Sequence, residues 1–415
     1  MISGQDIICI SSIEWDFLWQ GHQEITKRFA DAGNRVLYIE NTGVRAPGIK
    51  DASRVWARLK RWTRSLGSSG VREVASNIYV CSPLILPPFG SNWQRRINRK
   101  ILLPAIRRAA RRLGMRGDVI WTYLPTDTAL DLINLLRQPQ SVVVYYCVDN
   151  FAQLTPRVSQ LKQSEQAVLE SSDVVFATHT ALAASCAQWS RNVHVFPFGV
   201  DLKAFPLEKK ARGASSDNSS NGARGQLSES VLPELARPVI GYVGGLHRHI
   251  DFRMLAEMAR ARPLWSWVFV GAIQTELTEF AALPNVHLTG QKPHGELVRY
   301  IREFDVCIVP YAESLYTATV VPTKINEYLA VGKPVVSTKL PSVCEFNRRH
   351  DVLLTAAQQA GEFLHCVEEA LRSPKDERTI ERRREVAALG DWGATFARMS
   401  DLIETEVQAK KSAAA

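Results

Sequence analysis

The chain has 415 residues, 46% hydrophobic and 22% charged, a composition that excludes a disordered or fibrous protein and at this length implies two domains with large cores. The net charge of +9 is unevenly spread: Arg45 to Arg116 holds 17 Lys or Arg against two acids, so one stretch carries +15 and the remainder −6. The seven cysteines form no CxxC pair and several lie in apolar runs, which excludes a zinc ribbon or disulfide-rich module and fits reduced thiols in a cytosol.

In chain order, DIICIS (6–11) reads as a buried strand, and the segment from Trp15 to Glu40 reads as loop, helix, Gly33 stop and strand, the start of a βαβ unit. Similar units follow at 118–124, 142–148 and 173–178, each with a helix behind it. Short apolar strands alternating with helices predict a parallel, doubly wound sheet. Residues 208–230 lack aromatics and are rich in Ser, Gly and charge, so a flexible linker or insertion is expected over 208–234. A second βα series runs from Arg237 through strands near 265–272, 285–290, 305–311 and 333–338. The expected organisation is an acceptor-side domain 1–205 with a basic amphipathic insert at 45–116, then a second domain 235–388. A terminal helix and tail over 389–415 would pack back on the first domain. The opening has no basic stretch before its apolar residues and no run of 18 apolar residues occurs, so neither a signal peptide nor a spanning helix is expected.

Ligands of open parallel sheets bind at strand carboxyl ends, so the chemistry is expected in the loops there. In PYAESLYTATVVPTKINEYLAVGKPVVST (310–338), Pro322 opens a helix whose first amides, Thr323 and Lys324, suit phosphate, with Glu327 placed to accept from ribose hydroxyls. The same spacing also suits a capped helix with a surface Lys–Glu pair. His247 and His249 lack the convergent carboxylate or cysteine of a metal site, and no D-x-D occurs, so no metal and no cofactor are expected. Walker, G-x-S-x-G and G-x-G-x-x-G patterns are absent.

The run P-T-K-I-N-E-Y-L-A-V-G-K-P-V-V-S-T resembles the donor-site signature of GT-B glycosyltransferases, particularly retaining family four. RPVIGYVGGL, NVHLTGQKPHGELVRYIREFDVCIVPY and VHVFPFGVDLKAF resemble other parts of that fold, in the order it demands. GHQEITKRFADAGNRVLYIEN resembles the start of teichuronic-acid and cell-surface polysaccharide transferases. The resemblance implies an α/β GT-B fold, two Rossmann-like doubly wound domains facing across a cleft. It implies a nucleoside-diphosphate donor, UDP above all, and a lipid-linked or glycan acceptor.

Residue by residue, Glu327 matches the second glutamate of the family's E-x7-E motif, whereas the first falls on Thr319. That glutamate's contacts must then come from Thr319, from amides near Val320, or from Glu313. Gly244 and Gly245 match the Gly-rich donor loop, with Arg248 beside Lys324 as the diphosphate cation or else a solvated surface arginine. Asp149 follows a strand where relatives carry His-Asp. It either serves the acceptor or donor sugar or caps a turn. Gly21 and His22 could approach the acceptor, or His22 is an ordinary exposed helix residue.

Within the basic stretch, residues 91–117 place Ile97, Ile101, Leu102, Ala105, Ala109 and Leu113 on one face of a helix bent near Pro104, with arginines opposite. With Trp56 and Trp62 upstream, the pattern fits a helix in an anionic membrane interface through Arg95, Arg96, Arg107 and Arg108. A solvated arginine face on a core-packed helix is the competing reading; nucleic acid is disfavoured because aromatics are not interleaved for stacking. The expectation is a metal-independent glycosyltransferase of cell-envelope polysaccharide or exopolysaccharide biosynthesis, cytoplasmic and peripheral on the inner membrane face. The alternatives are a non-catalytic membrane scaffold of the same fold and a sugar-nucleotide epimerase.

Overall fold

The computed structural model describes residues 1–415 except 18, 41–69, 207–230, 233, 321, 375 and 415. Trp56, Trp62 and most of the expected linker therefore lie outside the described residues. The chain divides into two compact units, Met1–Phe198 with Gly393–Ala415, and Gly199–Trp392.

Among the described residues, the first unit is built on eight strands: β1 (Asp6–Ser11), β2 (Arg35–Glu40), β3 (Val71–Ala75), β4 (Ile78–Cys81), β5 (Val119–Thr122), β6 (Val142–Cys147), β7 (Val174–Ala177) and β8 (Val193–Val195). Their order is β3-β4-β2-β1-β5-β6-β7-β8. All pairings are parallel except the edge hairpin β3–β4. Helices cover both faces, which is why β5, β6 and β7 read as unbroken apolar runs and are buried throughout. Asp6 fixes the start of β1 against β2 through a forked pair with Arg35, both contacts 2.8 Å. The terminal helix Trp392–Ala414 packs on this unit: Phe396 meets Phe29 edge-on at 4.9 Å, and Lys410 Nζ reaches Asp173 at 2.6 Å.

The second unit holds β9 (Val239–Val243), β10 (Ser266–Val270), β11 (Val286–Gly290), β12 (Val306–Val309), β13 (Val335–Thr338) and β14 (Leu354–Ala356), in the order β11-β10-β9-β12-β13-β14. Every pairing is parallel. Each unit has its own apolar core.

The basic helix departs from the expected register. Helix Asn92–Ile97 runs into a π turn, Asn98–Leu102, before helix Leu103–Arg112. Pro104 has no N–H for the Lys100 carbonyl and its ring crowds that turn; the wider turn, closed by Leu103 N–H to Asn98 O, accommodates it. The extra residue rotates the inward face. Leu103, Ile106, Ala109 and Ala110 are buried, whereas Ile101 and Ala105 are exposed, correcting the single apolar face expected from spacing. Asn98 is buried and clasps Leu86 through both backbone groups at 3.0 Å. Arg95 forks onto Asp131 with two contacts of 3.1 Å, so it is held in an ion pair on its own unit. No described helix is long and apolar enough to cross a membrane.

Candidate active site

In the second unit the chain winds from β9 to β10 and β11 on one side, then from β12 to β13 and β14 on the other. The carboxyl ends of β9 and β12 therefore flank a topological switch point, where open α/β sheets leave a crevice. The two loops there are sewn together: Ala312 N–H donates to His249 O at 2.8 Å, Asp251 N–H to Pro310 O at 2.9 Å, and Ile250 bridges Tyr311. Asp251 also caps the helix Phe252–Ala261 through Met254 N–H.

Gly244 and Gly271 are glycines for steric reasons. Gly244 sits at φ +136, where a Cβ would lie 3.0 Å from Tyr242 Oη and 3.1 Å from Lys324 Cε. Gly271, at φ +158, would drive a Cβ to 1.9 Å from the Gly244 carbonyl oxygen. The backbone after β9 is thus pressed against the end of β10, leaving a close-approach turn at Gly244–Gly245.

Lys324 opens the helix Lys324–Ala330. Only 9% of it is exposed, and its ammonium donates to Tyr311 Oη at 2.6 Å, lying 5.2 Å from the Tyr242 ring centre and 4.9 Å from that of Tyr311. Thr323 precedes it in helical conformation. This helix is only two turns long, so the dipole expected behind these amides is small and the lysine charge dominates. Glu327, one turn on, is half-buried; burial raises its carboxyl above the usual range, against opposing pulls from His294 and Lys324. Arg248 is exposed, its Nε 3.5 Å from His249 Nε2. His247 accepts from His249 N–H at 3.3 Å, and burial, with help from Lys324, lowers its pKa to about 4.

The substitutes for the first motif glutamate fare differently. Thr319 closes a 3-10 turn, Thr317–Thr319. The Val320 amide is spent in that turn, donating to Thr317 O at 3.2 Å, which corrects its expected availability to the donor. The Glu313 amide is taken by Gln358, and Glu313 itself is exposed.

In the first unit the switch point lies between β1 and β5. Gly21 starts the helix Gly21–Asp31, and a Cβ there would sit 2.5 Å from the Phe198 ring. His22 is 3% exposed, stacked on Tyr123 with centroids 3.6 Å apart, and its Nδ1 is 2.7 Å from Ser11 Oγ; this corrects the exposed-helix alternative. Tyr38 Oη continues the chain, 2.7 Å from the same hydroxyl. Burial lowers the His22 pKa to about 3, so the imidazole is neutral. Asp149 accepts from Asn150 N–H at 2.8 Å, a turn bond that still leaves it at the end of β6.

Sequence reasoning missed Tyr242, Tyr311, Gly271, Ser11 and Tyr123. In sequence the tyrosines read as strand core, and only the fold brings them to Lys324 and His22.

The profile of the glycosyl transferases group 1 family matches residues 237–373, the segment holding Gly244, Lys324 and Glu327. Over 271 residues, 61% of the chain, the sequence is 28% identical to a Bacillus subtilis (strain 168) protein whose name assigns it to teichuronic acid biosynthesis as the glycosyltransferase TuaH; the match spans 64% of that relative's length. Among solved structures, sucrose-phosphate synthase from Thermosynechococcus elongatus superposes with a TM-score of 0.67 at 19% identity, covering 98% of this chain and 100% of that one. Anabaena HepE in complex with UDP and glucose gives a TM-score of 0.61 at 14% identity, covering 96% and 99%. The similarity to the glycosyl transferases group 1 family thus lies in residues 237–373, within a chain whose fold is that of GT-B structures.

Proposed function

We propose that the protein transfers a sugar from a nucleoside-diphosphate donor, UDP-linked, to a lipid-linked or glycan acceptor in cell-surface polysaccharide biosynthesis. The observation that carries this reading is the Lys324 ammonium, buried beside the Gly244–Gly245 turn and one helical turn from Glu327 at the switch point of the second unit. The cation and close-approach backbone suit a diphosphate, and the carboxylate suits ribose hydroxyls. The UDP held by Anabaena HepE and the teichuronic-acid name of the Bacillus relative support donor and pathway class.

In this reading Lys324 and Arg248 stabilise the charge that develops on the leaving diphosphate. Thr323, Thr319 and the glycine turn complete the donor side, while Asp149, Gly21 and His22 serve the acceptor. The bond from the anomeric carbon to the diphosphate oxygen breaks, one to the acceptor oxygen forms, and the acceptor proton leaves with the diphosphate. The resemblance to family four points to retention at the anomeric carbon, with no metal and no cofactor.

The acceptor side also carries the basic helix. Trp93 (60% exposed) and Ile101 (61%) project outward among the exposed Arg96, Arg99, Lys100 and Arg108, an arrangement that fits an anionic membrane surface on the cytoplasmic side. Arg107 is half-buried on the same helix, and Arg95 is engaged with Asp131.

The test is incubation of the purified protein with UDP- and GDP-sugars and candidate acceptors. Nucleotide release with a new glycoside supports the transferase. Sugar interconversion alone identifies an epimerase, and binding without turnover under all acceptors identifies a scaffold.

A further inference from the structure

We infer that Tyr311 and Tyr242 are positioning residues that form a neutral cage for the Lys324 ammonium, holding it charged, unquenched and preset for an incoming diphosphate. The inference rests on the nucleotide-sugar reading above. A lysine head on four rotatable carbons is a poorly placed charge unless something fixes it, and burying an ammonium normally requires a carboxylate partner. Here no carboxylate among the described residues lies within ion-pair distance of Lys324 Nζ. Its burial is compensated by the Tyr311 hydroxyl at 2.6 Å and by two aromatic faces at 4.9 and 5.2 Å. A carboxylate partner would compete with the phosphate for the same cation, whereas a hydroxyl and two rings do not.

The cage is itself anchored to the donor loop. Tyr242 Oη donates to Gly245 O at 3.3 Å, and the Tyr311 backbone bridges Ile250 in the loop after β9. Gly244 lies against both Tyr242 Oη and Lys324 Cε. The lysine, the glycine turn and the two tyrosines therefore form one packed unit whose geometry is set before ligand arrives, the condition under which a binding charge is most effective.

The test measures UDP affinity by calorimetry for wild type, Tyr311→Phe, Lys324→Ala and the double variant, with thermal melting on each. Tyr311→Phe keeps the ring and removes the hydroxyl, so Tm is retained and UDP affinity falls about tenfold, the loss of one charge-assisted hydrogen bond. In the Lys324→Ala background the same change has an effect of less than about twofold, because the tyrosine acts only through the lysine. Lys324→Arg, whose wider guanidinium does not fit the cage, loses most affinity although the charge is kept. An unchanged affinity in Tyr311→Phe, or an equal loss in both backgrounds, overturns the cage while leaving nucleotide binding intact. Unchanged affinity in Lys324→Ala overturns the nucleotide reading itself. Should Tyr311→Phe melt early, the cycle is measured well below its melting transition, with the same outcomes.

Discussion

His22 gives a sharply quantitative consequence of the first unit's architecture. Its ring is stacked on Tyr123, tied to Ser11 and 3% exposed, and burial depresses its pKa from 6.5 to about 3. The unfolded chain takes up a proton below pH 6.5 that the folded chain refuses until about pH 3. The neutral imidazole's stability is therefore fully present above pH 6.5 and is lost as pH falls through that window. At about 1.36 kcal/mol per unit, acidification from pH 7 to 5 removes roughly 2 kcal/mol through this one residue. His22→Asn keeps a polar group near Ser11 but does not titrate. Losing the ring stack lowers its stability equally at both pH values, so that cost cancels. Urea unfolding of both proteins at pH 7 and pH 5 isolates the term: the wild type loses about 2 kcal/mol more than the variant over this interval. An equal loss in the two proteins, or an imidazole NMR titration of His22 near pH 6.5, refutes the buried neutral assignment. A neutral His22 also means that any rate limb near pH 6.5 arises from another group.

Three further outcomes follow. The Glu327 carboxyl is raised by burial, so the folded state binds its proton more tightly than the unfolded chain, and the ionised group costs stability at neutral pH. Glu327→Gln accordingly keeps or raises Tm while weakening UDP binding about tenfold; a lower Tm with unchanged affinity would contradict both halves. Gly271→Ala forces a Cβ into the Gly244 carbonyl and should cost about 2 to 4 kcal/mol in chemical denaturation, since backbone cannot swing aside as a side chain can. No measurable loss would mean the close packing of β9 and β10 ends is wrong. On vesicles rich in anionic lipid, Arg96→Gln with Arg108→Gln should weaken co-sedimentation by about 2 kcal/mol, or some thirtyfold, and Trp93→Ala should weaken it further. Binding equal to wild type in the triple variant sinks the membrane proposal.

Much of this architecture is written locally in the chain. The strands β1, β5, β6, β7, β9 and β12 are short apolar runs between helices, and Gly244, Lys324 and Glu327 lie in loops and helix starts at strand carboxyl ends, where ligands of such sheets bind. What was not legible depends on residues far apart in sequence. The Tyr242–Lys324–Tyr311 cage joins two strand ends to a helix start, and His22 is buried by Tyr123 rather than exposed on its helix. The turn at Asn98–Leu102 escaped for another reason: a π turn inserts one residue, so periodicity before it mispredicts the face after it, and Ile101 emerges on the surface. The edge hairpin β3–β4 has too little apolar alternation in VREVA to announce itself.

The most direct measurement is an equilibrium titration of the purified protein with UDP, alongside Lys324→Ala of matched Tm. The account predicts saturable binding at one site per chain and at least a tenfold loss of affinity in the variant. Absence of binding to either UDP or GDP, or equal UDP affinity in the two proteins, would contradict a nucleotide-sugar site at the switch point of the second unit.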